Sequence, residues 1–388
     1  MIYRLLRLGL TLAVTLLPSS AEENRFQDLA PQSGIAFVLE NSATPQKHQI
    51  ETMVGGVALL DYDSDGKLDI FFTNGARQPS LEKEEPRYFN RLYRNLGQWR
   101  FEDVTIKAGM TGQGYSIGAA AADFDNDGHP DLFVASVNRN LLYRNKGDGT
   151  FEDVTAKAGL RTAPPQSWSV AAGWFDYDND GWLDLFIVQY VKWDPATEPF
   201  CGDLQAGLRT YCHPKYYEGL PNRLFRNRGD GTFEDVSERT GIARHRGKGM
   251  GLAFADFDGD GRMDVFVAND TTPNFLFRNR ADGTFQEMAM AAGTGLNDDG
   301  RALSSMGVDF RDVDNDGMPD LFVTALANET FPLFRNLGNS LFSDVTYPAG
   351  LGKATLAYSG WSNGIYDFDN DGRKDLFAAN GDVNDNTE

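Results

Sequence analysis

Six nine-residue segments of this chain share the pattern Asp-x-Asp-x-Asp-Gly-x-x-Asp, which brings several carboxylates close to one point. Side chains at positions 1, 3 and 5 converge when the chain curls, and glycine at position 6 permits a sharp turn with positive φ. Hard oxygen ligands favour Ca²⁺, and the lack of histidine and cysteine among the ligands disfavours zinc. The pattern therefore predicts six calcium-binding loops, with Ca²⁺ as the cofactor.

The predicted calcium ligands are the aspartates at positions 1, 3, 5 and 9 of every loop. In chain order they are Asp61, Asp63, Asp65 and Asp69; Asp123, Asp125, Asp127 and Asp131; Asp176, Asp178, Asp180 and Asp184; Asp256, Asp258, Asp260 and Asp264; Asp312, Asp314, Asp316 and Asp320; Asp367, Asp369, Asp371 and Asp375. The position 7 side chains share no chemistry, so we expect a backbone carbonyl there. Alternatively, each segment is only an acidic turn. Repulsion among so many carboxylates without a cation favours the metal site.

Each loop lies at the same place in a longer repeat. A run of small apolar residues precedes it, and a β-prone run such as LFV or LFIV follows it. An Arg-Asn strand such as LYRN comes next, and a turn such as GDGT then leads into FEDVT. We therefore expect four short antiparallel strands per unit, with the Asp loop joining the first two and the position 2 side chain packed beneath it.

The repeat period indicates the fold class. Successive loops start 62, 53, 80, 56 and 55 residues apart. Four-stranded units at this period predict an all-β protein, a β-propeller built from four-stranded blades. A β-solenoid is the alternative architecture, but its repeats are usually shorter.

With these motifs, the chain resembles the FG-GAP (VCBS-type) repeat family, and its loops are similar to those of integrin α-subunit propellers. The combination of DFDNDG, LYRN, GDGTFEDVT and AGL resembles most closely the cartilage acidic protein group and bacterial UnbV-related proteins. The resemblance covers about residues 24–380. It implies a seven-bladed propeller, calcium in the blades and an extracellular or periplasmic location. The chain departs from the group in having six calcium loops and in lacking a C-terminal module often seen there.

Residues 1–21 have the pattern of a secretory signal peptide. Arg4 and Arg7 precede a short apolar core at 8–17, and small residues precede a cleavage site before Glu22. An apolar helix that stays on the protein is the alternative. The apolar core is too short to span a membrane, and we expect no membrane insertion. The propeller is expected over residues 22–388, in a secreted, periplasmic or cell-surface protein.

The charge of the chain limits its partners. The formal net charge is −20, and such acidity argues against nucleic acid and against anionic membrane surfaces. Apolar and aromatic residues are nevertheless numerous enough to fill a core. We therefore expect a folded protein whose partners are proteins or glycans.

An insertion at about 189–220 interrupts the third repeat. Cys201 and Cys212 predict a disulfide, with a zinc site including His213 as the alternative. The insertion also contains five aromatic residues that either stack on a ligand or pack the insertion onto the propeller: Tyr190, Trp193, Tyr211, Tyr216 and Tyr217. A basic run follows, which either holds an acidic ligand or is a solvated loop: Arg244, His245, Arg246 and Lys248.

The sequence favours a binding function over catalysis. No HExxH or P-loop pattern occurs, and we assign no catalytic residue. We expect an exported calcium-binding propeller that acts as a binding, adhesion or scaffold module. The alternative is a polysaccharide-acting enzyme, such as a lyase, which would need basic groups converging in a deep cleft.

The two ends of the repeat array are also informative. Residues 25–35 parallel 150–160, so we expect a fourth-strand unit at the N-terminus that helps to close the ring. After the sixth loop, the sequence contains one further strand, 376–381, but no Arg-Asn strand. We therefore expect an incomplete propeller with unpaired strand edges and a parent protein that continues further.

Overall fold

The structure is a computed structural model that describes residues 26–160 and 166–382. The expected signal peptide, residues 1–21, lies outside the described residues. The chain forms antiparallel sheets in which neighbouring strands follow one another along the sequence. Five of these sheets have four strands and contain one Asp loop each, between the first and second strands. We call these sheets blades 1 to 5, and the two-stranded sheet that carries the last Asp loop is blade 6.

The strands of each blade follow in chain order, from first to fourth. Blade 1 contains Val57–Leu60, Asp69–Phe72, Arg91–Gly97 and Arg100–Asp103, and blade 2 contains Tyr115–Ala122, Asp131–Val137, Leu141–Asn145 and Phe151–Asp153. Blade 3 contains Ser169–Phe175, Asp184–Gln189, Arg223–Asn227 and Phe233–Asp235, and blade 4 contains Gly249–Ala255, Asp264–Asn269, Phe275–Asn279 and Phe285–Glu287. Blade 5 contains Val308–Arg311, Asp320–Val323, Leu333–Asn336 and Phe342–Asp344, and blade 6 contains Gly360–Tyr366 and Asp375–Asn380.

The remaining elements are short. Helices of four or five residues span Ala30–Ser33, Thr105–Ala108, Ser237–Thr240, Ala289–Ala292 and Leu351–Thr355. Single 3₁₀ turns span Gln49–Thr52, Pro86–Tyr88, Pro214–Tyr216 and Ile242–Arg244. Two-residue strands pair Gly202–Asp203 with Leu208–Arg209, and Leu220–Pro221 with Arg246–Gly247. Within the described ranges, no helix is long and apolar enough to cross a bilayer.

The first strands of successive blades lie against one another around a common axis. In blades 2 and 4, the residue five positions before the Asp loop is a glycine, and its missing side chain allows the neighbouring strand to approach. A Cβ atom on Gly118 would lie 2.2 Å from the carbonyl oxygen of Val170, and one on Gly251 would lie 2.2 Å from that of Met306. Real Cβ atoms do not approach backbone this closely, so the spacing between blades depends on the missing side chain.

The fourth strand of each blade packs onto the loop of the blade before it. The Phe151 ring lies 6.2 Å from that of Tyr62, which is at position 2 of the blade 1 loop. The same pairing joins blades 3, 4 and 5 to the preceding loops, at 5.6, 6.1 and 5.8 Å. The position 2 side chains of the first four loops are buried, which confirms that they pack beneath the loops: Tyr62, Phe124, Tyr177 and Phe257.

The N-terminal segment, residues 26–34, follows the same rule. The Phe26 ring lies 5.4 Å from that of Phe368, at position 2 of the blade 6 loop. At its other end, a Cβ on Gly34 would meet the carbonyl oxygen of Phe101 in blade 1 at 2.7 Å, as Gly159 meets that of Phe233. The segment therefore lies between blades 6 and 1, where the outer strand of a seventh blade belongs. Among the described residues, blade 6 itself has two strands.

We expect the substitution Gly118→Ala to destabilise the fold by about 2 kcal/mol or more, because the added methyl overlaps a backbone carbonyl of the next blade. This overlap outweighs the roughly 0.5–1 kcal/mol that alanine gains over glycine inside a strand. Urea denaturation at a fixed calcium concentration measures the difference. Gly381→Ala is the control, since the atom nearest its Cβ is 3.5 Å away. Equal stability of the two variants would contradict the close packing of first strands.

Candidate metal sites and the opposite face

The backbone of the Asp loops has the same shape in all six copies. At position 6, φ lies between +83° and +89°, and a Cβ there would meet nothing within 4 Å. Glycine is therefore required by the backbone conformation and not by a lack of space. Position 4 also has positive φ, a feature that was not predicted although the residue types fit it: Ser64, Asn126, Asn179, Gly259, Asn315 and Asn370.

The aspartates at positions 1 and 5 hold the loop in its curled form. In blade 2, Asp123 accepts hydrogen bonds from the backbone N–H groups of Asp127 (3.0 Å) and Gly128 (2.8 Å). Asp127 in turn accepts one from the N–H of His129 at 3.0 Å. The other five loops repeat these three bonds. The carboxylates at positions 1 and 5 are thereby fixed close to each other.

The aspartate at position 9 joins the loop to the sheet. Asp131 is completely buried and accepts from the N–H of Phe124 at 3.1 Å and from that of Asn145, on the third strand, at 2.8 Å. Blades 1, 3, 4 and 5 contain the same pair of bonds. Position 9 is thus a structural anchor as well as a candidate ligand.

Burial makes the charged form of the position 9 carboxylates unfavourable. Burial, with a smaller contribution from nearby loop aspartates, raises the pKa of Asp131 to about 8 and the pKa values of Asp184 and Asp264 to about 7. The backbone N–H donors act in the opposite direction. A divalent cation in the loop would favour the charged form, because it places two positive charges beside these carboxylates.

The aspartate at position 3 supplies the clearest test of fit for a metal ion. One carboxylate oxygen of Asp63, Asp125 and Asp258 is buried and has no hydrogen-bond partner among the described residues. Such an oxygen is costly unless a cation or a donor contacts it. In at least five of the loops, ligand atoms of three aspartates lie within 4.8 Å of one another. The residues present therefore fit a hard divalent cation such as Ca²⁺.

An arginine of the third strand bridges positions 3 and 5 in each four-stranded blade. In blade 2, Arg144 Nε lies 2.5 Å from Asp125 and its Nη2 lies 2.9 Å from Asp127. The equivalent arginines are Arg94, Arg226, Arg278 and Arg335. From the sequence, the Arg-Asn pair was predicted only to be part of a strand. Its presence in every repeat that has a third strand was the signal that could have identified this role.

The asparagine that follows this arginine connects neighbouring blades. Asn145 Nδ2 donates to the carbonyl oxygen of Tyr62 in the preceding loop at 2.8 Å. Asn227, Asn279 and Asn336 make the equivalent bonds at 2.8 to 2.9 Å. The Asp loops therefore fix contacts between blades as well as contacts within each blade.

The insertion lies at the other end of the strands, because the connection between second and third strands is at the end opposite the Asp loops. Its Cys201 and Cys212 form a disulfide, which confirms the prediction and leaves no thiolate for zinc. Tyr190 and Trp193 are 1% exposed and Tyr217 is 9% exposed. Packing therefore accounts for these three aromatic residues, while Tyr211 is half-buried and Tyr216 is exposed.

Two buried glutamates hold the insertion in place. Glu198, in the insertion, accepts from the backbone N–H of Gln49 at 2.7 Å and from the Tyr217 hydroxyl at 2.8 Å, and it also contacts His48. Glu51 accepts from the hydroxyl of Tyr211, an insertion residue, at 3.1 Å. The insertion is thus tied to the segment before blade 1 and reaches across the axis.

The basic run at 244–248 does not form one surface. Arg246 pairs with Glu218 at 2.8 Å, and the His245 ring packs against the rings of Phe275 and Phe277. Lys248 is 8% exposed, and burial lowers its pKa. These separate environments do not provide the cationic patch that an acidic ligand would require.

A cavity of about 250 Å³ lies on the axis beneath the insertion. Its walls come from the insertion, from the 3₁₀ turn before blade 1 and from the connections of blades 4 and 5. No sequence pattern indicates this cavity, because its lining residues are far apart along the chain. It opens on the insertion side of the described fold.

Four-stranded blades with Asp loops and Arg-Asn strands define a propeller type of repeat protein, and the family comparison agrees. The model of the FG-GAP-like repeat matches residues 61–134, 123–187, 216–267, 256–323 and 312–378. The chain belongs to the FG-GAP-like repeat family. This result confirms the resemblance and the all-β propeller fold derived from the sequence.

Individual relatives are more distant. The chain is 25% identical over 345 residues to cartilage acidic protein 1 of Homo sapiens, covering 84% of this chain and 47% of that protein. It is 25% identical over 383 residues to cartilage acidic protein 1 of Mus musculus, and this match covers 84% of this chain and 57% of that protein. The chain thus spans about half the length of the curated relatives it matches. A solved Agrocybe aegerita lectin that recognises non-reducing terminal N-acetylglucosamine has TM-score 0.47 and 17% identity, covering 84% of this chain and 75% of the lectin.

We expect Asp131→Asn to lower the free energy of unfolding by about 2–3 kcal/mol, because an amide has one acceptor oxygen and two backbone N–H groups need acceptors. Asp148→Asn is the control, since Asp148 is an exposed turn residue whose backbone bond to Thr150 an asparagine can also accept. Urea denaturation with calcium and with chelator measures both variants. If Asp131→Asn lowers the stability only when calcium is present, position 9 acts only as a metal ligand.

Proposed function

We propose that this protein is an exported, calcium-stabilised propeller that binds a protein or glycan partner on its insertion side. One observation supports the proposal most strongly: the two ends of the blade strands carry different structural features. The Asp loops occupy one end of the strands, and in three of them a buried position 3 oxygen has no hydrogen-bond partner among the described residues. The other end carries the disulfide-linked insertion and the axial cavity.

In this proposal, the metal at each loop is Ca²⁺ and its role is structural. The aspartates at positions 1, 3, 5 and 9, together with the position 7 carbonyl, would hold it, and the ion would supply the positive charge that the converging carboxylates require. Extracellular calcium sites often bind at about 10⁻⁴ to 10⁻³ M. At tenfold excess, one site adds roughly 1.4 kcal/mol, and six independent sites add roughly 8 kcal/mol.

Export is part of the proposal. Residues 1–21 would serve as the signal peptide, and the Cys201–Cys212 disulfide suits an oxidising compartment. The calcium loops suit the same compartments, since sites of this affinity fill where calcium is abundant. We therefore propose a secreted, periplasmic or cell-surface location.

The insertion side supports binding better than polysaccharide cleavage. Lys248, Asp270 and Tyr190 lie near one another there, but Tyr190 is 1% exposed and donates its hydroxyl to Asp270. A lyase would need a basic residue that reaches the substrate and cations that neutralise it in a deep cleft. The small axial cavity and the dispersed basic run do not provide these groups.

We expect calcium removal to lower the melting temperature by more than about ten degrees, because the linked stabilisation of roughly 8 kcal/mol is lost. Differential scanning calorimetry after EDTA treatment measures the shift, and excess CaCl₂ should reverse it. NaCl at matched ionic strength is the control for screening. An unchanged melting curve after complete calcium removal would contradict the structural role of the metal.

We expect the calcium-loaded protein to bind a glycan or a protein surface through its insertion side. An array that combines glycans with extracellular proteins detects such binding. A variant in which Tyr216→Ala and Arg246→Ala alter only exposed insertion-side groups should bind a protein partner at least about tenfold more weakly. Absence of any ligand on the array, with the protein shown to be folded, would contradict the binding function.

A further inference from the structure

The axial cavity is lined by both polar and apolar side chains. Asp270 and Thr271, from the connection after the second strand of blade 4, are polar lining residues, as is Gln49. Met306 and Trp361, which precede or begin the first strands of blades 5 and 6, are among the apolar ones. The Trp361 indole N–H donates to the carbonyl oxygen of Gly381 at 2.8 Å, which fixes the ring.

Asp270 is a buried carboxylate that is only partly used by the fold. It is 7% exposed and lines the cavity, and one of its oxygens accepts from the Tyr190 hydroxyl at 2.6 Å. No other described side chain donates to it. Burial raises the pKa of Asp270, and the hydrogen bond from Tyr190 and the nearby Lys248 and His213 only partly oppose this rise. The carboxylate thus retains capacity to accept hydrogen bonds from a ligand.

Thr271 destabilises the folded state through both its backbone conformation and its hydroxyl group. Its φ is +57°, and it is the one β-branched residue with positive φ in the described ranges. The position equivalent to Thr271 in blade 2, seven residues after position 9, holds Asn138, and asparagine tolerates this conformation better. The Thr271 hydroxyl is also buried without a hydrogen-bond partner among the described residues. Strain and an unpaired polar group at one residue point to a role beyond folding.

The composition of the cavity indicates the chemistry of its occupant. A carboxylate, hydroxyls and an amide oxygen suit several adjacent hydroxyl groups, while Trp361 and the methionines suit a face of C–H groups. Gln49 Oε1 is likewise buried without a partner. Lys248 and His213 on one side and Asp270 and Glu329 on the other place charges of both signs around the cavity, so its surroundings do not favour a ligand of one charge. The volume of about 250 Å³ limits the occupant to roughly a single ring.

We propose that the axial cavity binds the terminal residue of a neutral glycan, with Asp270 and Thr271 contacting its hydroxyl groups and Trp361 contacting its apolar face. This inference rests on the proposed function and names the ligand class for the insertion side. A sugar ring suits both the polar and the apolar lining residues, because it presents hydroxyl groups at its rim and C–H groups on its face. A chain end fits best, because the cavity has room for about one ring.

The calcium-loaded protein is tested on an array of oligosaccharides with neutral, uronic acid or glucosamine termini. We expect binding only to neutral termini, and calorimetry with the strongest neutral ligand gives its affinity. Asp270→Asn should weaken this affinity by about 10- to 100-fold, since hydrogen bonds to a charged group are lost. The matched control, Asp299→Asn, alters an exposed aspartate outside the cavity and should bind normally.

Thr271→Asn separates binding from folding. Asparagine relieves the strain, so the melting temperature should stay constant or rise by about one to two degrees, while the affinity falls about tenfold. Unchanged affinity in both cavity variants, or a preference for charged termini, would overturn the inference. Binding of proteins with no glycan bound would also overturn it, but would leave the proposed binding function intact. Binding of neither class would contradict both.

Discussion

The convergence of carboxylates in the Asp loops is the constraint on which the rest of the structure depends. Position 1 curls the loop by accepting from the N–H groups of positions 5 and 6. Position 9, completely buried in blades 1 to 5, ties the loop to the second and third strands. An arginine of the third strand then contacts positions 3 and 5, and the asparagine after it reaches the preceding loop. Each loop is therefore the point where one blade is assembled and attached to the next.

This arrangement explains why the sequence revealed so much of the fold. The glycine at position 6, the small residues before each loop and the aromatic residue at position 2 are local requirements, and each recurs six times or nearly so. Glycines such as Gly118 mark where first strands touch, and Phe151 marks where a fourth strand packs on the loop of the preceding blade. Each of these sequence features is a weak indication when it occurs once. Because they recur in nearly every repeat, together they predict the blade topology and the candidate ligands.

Contacts that join distant residues could not be derived in the same way. The role of Arg144 depends on its distance from Asp125 across the sheet, and connections of different lengths vary that spacing between blades. The insertion occurs once, so no repeat shows that Tyr190 and Trp193 are buried or that Glu198 attaches the insertion to Gln49. The strain at Thr271 appears only in its backbone angle. Features that occur only once in the chain, such as the insertion and Thr271, therefore could not be predicted from the repeats and became visible only in the structure.

Metal content tests the central claim most directly. The protein is equilibrated in a calcium-containing buffer, and bound and free Ca²⁺ are measured by equilibrium dialysis with mass spectrometric detection. If every Asp loop holds one ion, we expect about six calcium ions per chain at saturation, and about one fewer in a variant with Asp125→Asn and Asp127→Asn. If the protein binds no calcium at a saturating Ca²⁺ concentration, or if the double variant binds as many ions as the unaltered protein, the claim that these loops are metal sites is contradicted.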